Sequence, residues 1–217
     1  MEQILRKISL FSGLEPAVLQ GIASLAVTKS YPKNAIIINE GDETNTLYMI
    51  ISGKVKAYLS NEDGKEVILN MMGPGEHFGE LALLDPAPRS ASIMTMQASK
   101  FSILSKDDFD QCLEQHPEMS KSIIAELTRA VRRLTDNVRS LALMDVYGRI
   151  AHTLLEMAVE ENGVKIIKEK LTHQDIARLV GSSREMVSRI MKDLVNGGYI
   201  TTKDKQIIIN DRLPPAW

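Results

Sequence analysis

Between about Asn34 and Leu104 the apolar residues come in short bursts instead of long helical runs: Ile36–Ile38, Leu47–Ile51, Val55–Leu59, Val67–Leu69, Ala91–Met94 and Phe101–Leu104. Turn-forming residues separate them, at Glu40-Gly41-Asp42, Ser52-Gly53, Asn61–Gly64 and Gly73-Pro74-Gly75. That texture predicts the strands of a β sandwich or jelly roll. The first 30 residues read as helical, with breaks at Ser12-Gly13 and Pro16. Ser105-Lys106-Asp107 starts another helix, which is interrupted near Pro117 and then runs from about Ser120 to Met144. Within it Ile124, Val131 and Val138 recur every seven residues, each followed three residues later by Leu127, Leu134 or Leu141. Branched residues at one heptad position and leucine at the other favour two parallel strands, so this helix is expected to zip a homodimer. Asp145 breaks the repeat and can cap a further helix from Val146 to about Glu160, placing a hinge between the two. A loop at Glu161-Asn162-Gly163 and a short strand, Val164–Ile167, follow.

The segment from Leu171 to Leu194 has the spacing of a helix-turn-helix. Ile176, Ala177 and Val180 form an apolar face, Gly181 supplies the turn, Ser182 or Ser183 caps a second helix, and Val187, Ile190 and Leu194 anchor it. Arg184, Ser188, Arg189 and Lys192 are then left on the outward face. An arginine near the start of such a helix can take guanine O6 and N7 with two hydrogen bonds, and a lysine suits a phosphate. Residues 197–202 and Gln206–Ile209 read as a two-stranded wing joined through Lys203-Asp204-Lys205.

Composition sharpens this picture. The 217 residues are 44% hydrophobic and 25% charged, which suits a soluble globular protein of one large or two modest domains. The net charge of −2 speaks against nucleic acid only as an average. From Val146 onward 11 Lys/Arg face 9 Asp/Glu, whereas the remainder holds 15 against 19. A polyanion is therefore expected to dock on the C-terminal part, through a local patch. One cysteine, Cys112, excludes an internal disulfide, a four-thiolate zinc site and a four-cysteine iron–sulfur cluster within one chain. His77, His116, His152 and His173 lack metal-ligand spacing. No apolar run approaches the roughly 20 residues of a membrane span, and the N-terminus lacks the order of a secretory signal, so a cytoplasmic location is expected, with no membrane partner.

The densest chemistry lies in residues 75–91. Gly79 permits close backbone approach, and Leu81-Ala82-Leu83 can form a turn whose free N–H groups favour an anion. Arg89 supplies positive charge, and Glu80 could accept from a sugar hydroxyl. A plain Glu80–Arg89 salt bridge on a sandwich rim is the open alternative. The string Phe78-Gly79-Glu80-Leu81-Ala82-Leu83-Leu84, with Pro88-Arg89-Ser90-Ala91 after it, resembles the phosphate-binding cassette of cyclic-nucleotide-binding domains. Ser183-Arg184-Glu185 with Arg189, and the hinge Asp145–Ala151, resemble the CRP/FNR family of transcription regulators, in the family's order and over nearly the whole chain.

That resemblance implies an α+β protein and not an enzyme: a jelly-roll cyclic-nucleotide-binding domain over 1–110, a dimerisation helix over 111–144 and a winged helix-turn-helix over 145–217. It implies that Gly79 and Glu80 contact the ribose, and that Arg89 and Ser90 bind the cyclic phosphate with backbone help from Leu81 and Ala82. Arg184, Glu185 and Arg189 would read a TGTGA-like half-site, with Ser183, Ser188 and Lys192 on the same face and Lys192 near the DNA backbone. A Thr-Ser pair that reaches the adenine in a cAMP-binding member corresponds here, counted back from Asp145, to Leu134 and Thr135; only Thr135 can hydrogen-bond. The expected ligand is cAMP, with cGMP or cyclic di-GMP as alternatives. The expected partners are a palindromic DNA operator, a second copy of the chain and RNA polymerase. Two rivals stay open: the same fold answering to cyclic di-GMP or to no ligand, and an enzyme built on the sandwich.

Overall fold

A computed structural model describes residues 2–11, 13–161, 163–203, 206–210 and 213–214. The chain divides into two compact units, residues 1–132 and 133–217.

The first unit opens with α1 (Glu2–Leu5), a 3-10 turn at Ser9–Phe11 and α2 (Pro16–Leu25), whose first position is the proline that helices accept there. Eight strands follow: β1 (Val27–Tyr31), β2 (Ile36–Ile38), β3 (Thr46–Ser52), β4 (Val55–Ser60), β5 (Glu66–Met72), β6 (His77–Phe78), β7 (Ser92–Thr95) and β8 (Ser99–Ser105). A single helical turn, α3 (Leu81–Leu84), lies between β6 and β7; α4 (Lys106–Gln115) and α5 (Met119–Leu143) come after β8. The strands make two four-stranded antiparallel sheets, ordered β1-β8-β3-β6 and β2-β7-β4-β5. This is the jelly roll that the short apolar bursts predict.

β3 shows why those bursts are nearly continuous. Leu47 and Met49 join a core with Leu5, Phe11, Leu104 and Phe109, whereas Ile50 faces the core between the sheets with Val55, Phe78 and Phe101. A strand covered on both faces needs apolar residues at odd and even positions alike. The inter-sheet core is locked by aromatic contacts: the Tyr48 and Phe78 rings stack with centroids 4.9 Å apart, and Phe101 meets both edge-on.

Two expectations need correction, and one strand goes unforeseen. The helical reading of the first 30 residues fails at β1, an edge strand whose Val-Thr-Lys-Ser-Tyr sequence is largely exposed and so carries little hydrophobic period. β6 is only two residues long, too short for any period, and exists because Tyr48 and Met49 pair with Phe78 and His77. The helix from Val146 stops at Met157, not Glu160, because Val159–Glu161 becomes a strand that pairs with Val164–Ile166.

In the second unit Asp145 caps α6 (Val146–Met157) by accepting from the Gly148 amide at 2.7 Å. β9 (Val159–Glu161), β10 (Val164–Ile167), β11 (Ile200–Lys203) and β12 (Gln206–Ile209) form an antiparallel sheet ordered β11-β12-β10-β9, and α7 (His173–Val180) and α8 (Arg184–Asn196) precede β11. β11 and β12 pair as the expected wing, and Asp204 and Lys205 of the joint between them lie outside the described residues. The unit's core gathers Tyr147, Ile150 and Leu154 of α6 with Ile176, Val180, Val187, Ile190 and Leu194. The helix-turn-helix anchors anticipated from spacing thus lie in one core.

Candidate anion pocket and nucleic-acid interface

Strand pairing and two tight backbone exchanges build the cassette. The Arg89 amide donates to Asp42 O at 2.9 Å, and the Gly41 amide donates to Arg89 O at 2.8 Å, so the loop before β3 fixes the backbone at Arg89. α3 closes through the Glu80 carbonyl, which accepts from the Leu83 and Leu84 amides. The amides of Leu81 and Ala82 fall in the first turn, where a helix offers no intrahelical acceptor.

Arg89 is buried at 4% exposure, which is unusual for an arginine with no hydrogen bond or salt bridge to a carboxylate among the described residues. Its Nε donates to Thr44 Oγ1 at 2.9 Å, Nη1 to Gly79 O at 2.7 Å, and Nη2 to Thr46 O at 2.9 Å and Thr46 Oγ1 at 3.3 Å. All four acceptors are neutral. The Glu80–Arg89 salt bridge left open on residue type is therefore not the bond this guanidinium makes. Burial lowers the guanidinium's pKa, against smaller opposing contributions from Tyr48, Glu80 and Asp42. A positive charge out of water without a bonded counter-charge is costly, and an anion brought to it relieves that cost.

Gly79 sits at φ +91°, in the region that favours glycine. A Cβ there would come within 2.7 Å of both Arg89 Nη1 and Thr46 O. The cassette therefore needs backbone alone at this point. Leu81 and Ser90 are exposed, and Gly79, Glu80 and Ala82 half-buried. The structure thus brings Gly79 to Arg89, while Thr135 lies on α5 as an exposed residue of the second unit. Thr44 and Thr46 were absent from the sequence expectations. Neither belongs to the cassette string, and only long-range strand packing brings them to Arg89.

His77, inside the cassette, lies with Nε2 3.4 Å from Glu126 Oε2 of α5, and Glu126 also accepts from Ser9 Oγ at 2.9 Å. Its neighbours are those of a residue tying β6 to α5 and the N-terminal turn. Cys112 is buried in the core with Phe109, and burial, with Asp108, pushes its thiol pKa up.

The helix-turn-helix is built as locally as the cassette is not. Thr172 and Asp175 form a reciprocal capping box at the start of α7; Gly181 ends it at φ +63°, and Ser183 caps α8 by accepting from the Met186 amide. Ser183, Arg184, Glu185, Ser188, Arg189 and Lys192 are all exposed. Five of them, Arg184, Glu185, Ser188, Arg189 and Lys192, line one surface cavity of about 480 Å³. Arg149 braces the element from behind: Nε donates to Val180 O at 2.8 Å and Nη1 to Met144 O at 2.9 Å, tying the end of α7 to the segment before α6.

Residues 28–116 match the family model described as a cyclic nucleotide-binding domain, and residues 148–213 match the Crp-like helix-turn-helix domain. The chain is 34% identical over 215 residues to the CRP-like cAMP-activated global transcriptional regulator of Mycobacterium tuberculosis, covering 97% of this chain and 96% of that protein. This chain belongs to the CRP family of transcription regulators. It is also 33% identical over 183 residues to the cAMP-activated global transcriptional regulator CRP of Escherichia coli, covering 82% of this chain and 87% of the relative. Among solved structures, the c-di-GMP responsive global regulator CLP of Xanthomonas campestris superposes with a TM-score of 0.79 at 25% identity, over 91% of this chain and all of that one. As a CRP-family member the protein is a cyclic-nucleotide-responsive, DNA-binding transcription regulator and not an enzyme, which removes the sandwich-enzyme rival. Among the described residues no helix is long and apolar enough to cross a membrane.

Proposed function

We propose that this CRP-family regulator is a homodimer that binds cAMP and, when loaded, a palindromic TGTGA-like operator. The observation that carries the ligand reading is Arg89, a buried guanidinium whose four hydrogen bonds all go to neutral oxygens. Arg89 and Ser90 hold the cyclic phosphate, the Leu81 and Ala82 amides add donors, Gly79 and Glu80 meet the ribose, and Thr135 serves the base. Arg184, Glu185 and Arg189 read base edges, Ser183 and Ser188 flank them, and Lys192 takes a phosphate. Arg184 and Lys192 are exposed side by side with Arg189 along one face of α8, where their charge is available to DNA.

The dimer reading is supported by the heptad seam: Ile124, Val131, Leu134, Val138 and Leu141 are each between 52% and 64% exposed in the single chain. A two-fold dimer presents two copies of α8 and so matches half-sites about one DNA turn, roughly 34 Å, apart. Because coupling is reciprocal, operator DNA raises the affinity for cAMP by the factor by which cAMP raises the affinity for the operator. The regulator works in the cytoplasm with RNA polymerase as its partner on the promoter. A second reading, cyclic di-GMP as the ligand, is favoured by the likeness to CLP and by Leu134, which offers no hydrogen bond where the cAMP-type pair would have one.

Calorimetry with cAMP, cGMP and cyclic di-GMP on the wild type and on Arg89→Ala tests the ligand. Loss of the buried cation is expected to weaken binding by about 2 to 5 kcal/mol, or more than about 30-fold. Unchanged affinity in Arg89→Ala removes Arg89 from the phosphate role, and tighter binding of cyclic di-GMP than of cAMP replaces the first reading by the second. A gel shift with a palindromic TGTGA probe, with and without ligand, tests the DNA half.

A further inference from the structure

We propose that Thr44 is a positioning residue for the ligand's phosphate: it holds one edge of Arg89 so that the guanidinium meets the anion through Nη1. This rests on the cassette reading above. A free arginine presents an anion with five N–H donors and can grip it as a fork through two nitrogens. In this fold Arg89 has lost that freedom. Nε donates to Thr44 Oγ1 at 2.9 Å, and Nη2 donates to the Thr46 carbonyl at 2.9 Å and to its hydroxyl at 3.3 Å. Two threonines, one in the loop before β3 and one at its first residue, therefore occupy Nε and Nη2. Nη1 makes a single bond, to Gly79 O, and keeps a second N–H. It is also the guanidinium nitrogen that approaches Gly79, an approach only a residue without Cβ permits, since an added Cβ would come within 2.7 Å of it. The uncommitted N–H of Nη1 is the donor that can receive a phosphate oxygen.

Thr44 matters to this arrangement more than its position suggests. It is an exposed residue outside the cassette string, yet it is the acceptor for Nε. Without its hydroxyl the Nε–H loses the protein acceptor that fixes it, and the guanidinium is free to turn, carrying Nη1 off the phosphate. Valine has the same shape and lacks the acceptor; serine keeps it. Thr46 is a poorer probe, because its backbone carbonyl does much of the holding.

A grip through one nitrogen distinguishes the two exocyclic oxygens of a cyclic phosphodiester. The two phosphorothioate diastereomers of cAMP each carry sulfur, a weaker acceptor, at one of those oxygens, so the protein should prefer one diastereomer. The test uses the full chain as wild type, Thr44→Val and Thr44→Ser. Calorimetry measures cAMP and both diastereomers, and NMR of ¹⁵N-arginine-labelled, ligand-free protein measures solvent exchange of the Arg89 Nε–H. Thr44→Val should bind cAMP about tenfold more weakly, bring the diastereomer ratio toward one and speed Nε–H exchange. Thr44→Ser should restore all three. A Thr44→Val protein with the wild-type diastereomer ratio, or with unchanged Nε–H exchange, overturns the proposal whatever its affinity, as does failure of serine to rescue. If the wild type binds no cyclic nucleotide, the cassette reading falls and the Thr44 role falls with it. If the wild type binds cAMP and Arg89→Ala does not, while Thr44→Val behaves as wild type, only the Thr44 role falls.

Discussion

At the scale of single residues, Arg89 and Cys112 are ionisable groups at buried positions. Arg89 is the proposed ligand-facing case. Cys112 is the case that pH can read. Burial, reinforced by Asp108, raises its thiol above the ordinary value of 9.0. The folded state thus resists forming the thiolate, and Cys112's contribution to stability is complete below the unfolded pKa and is lost as pH rises through the folded one. Urea denaturation at pH 8 and pH 10 should show stability falling between the two, and Cys112→Ala should lose less over the same interval. Gly79 and Arg89 were each legible from the cassette string, whereas the bond from Arg89 Nη1 to Gly79 O was not. Thr44 and Thr46 were not legible, since threonines in a turn and at a strand start are common and nothing local marks these two.

At the scale of elements, the helix-turn-helix is specified almost wholly by neighbours in sequence. Each end has its own stop or start: the capping box of Thr172 and Asp175, the left-handed Gly181, the Ser183 cap. Ser183→Ala removes the acceptor for the Met186 amide and should lower stability by about 1 kcal/mol. Fraying should begin at Arg184 and Glu185, so the same variant should bind the operator more weakly with little change in cAMP affinity, measured by fluorescence anisotropy and calorimetry. The strands behave differently. β1, β6 and β9 escaped a reading of periodicity because each is short or exposed, and each exists only through its partner: Val27–Tyr31 against Ser99–Ile103, Phe78 against Tyr48, Val159 against Ile166.

At the scale of the whole molecule, the heptad seam on α5 is the surface left to be satisfied. Its exposed branched and leucine side chains form an apolar stripe at the spacing of a two-stranded coil. Val138→Arg, at an exposed position away from the folded cores, should leave the chain folded and convert a dimer to a monomer in sedimentation equilibrium. The monomer should lose most of its preference for a palindrome over a single half-site. A variant that remains dimeric would place the dimer contact elsewhere.

By itself the sequence determined what short-range chemistry can specify: the caps, the heptad period and the anchors of the helix-turn-helix. These depend on residues within a few turns of one another, whose spacing is set by helix geometry. The partners of Arg89 were decided only by tertiary structure. Thr44 and Thr46 stand 45 and 43 residues away along the chain. They reach the guanidinium because β3 pairs with β6 and β8, and because the loop before β3 clasps the backbone of Arg89. No local pattern encodes that meeting, since hydrogen bonds between distant strands are selected by how whole sheets pack.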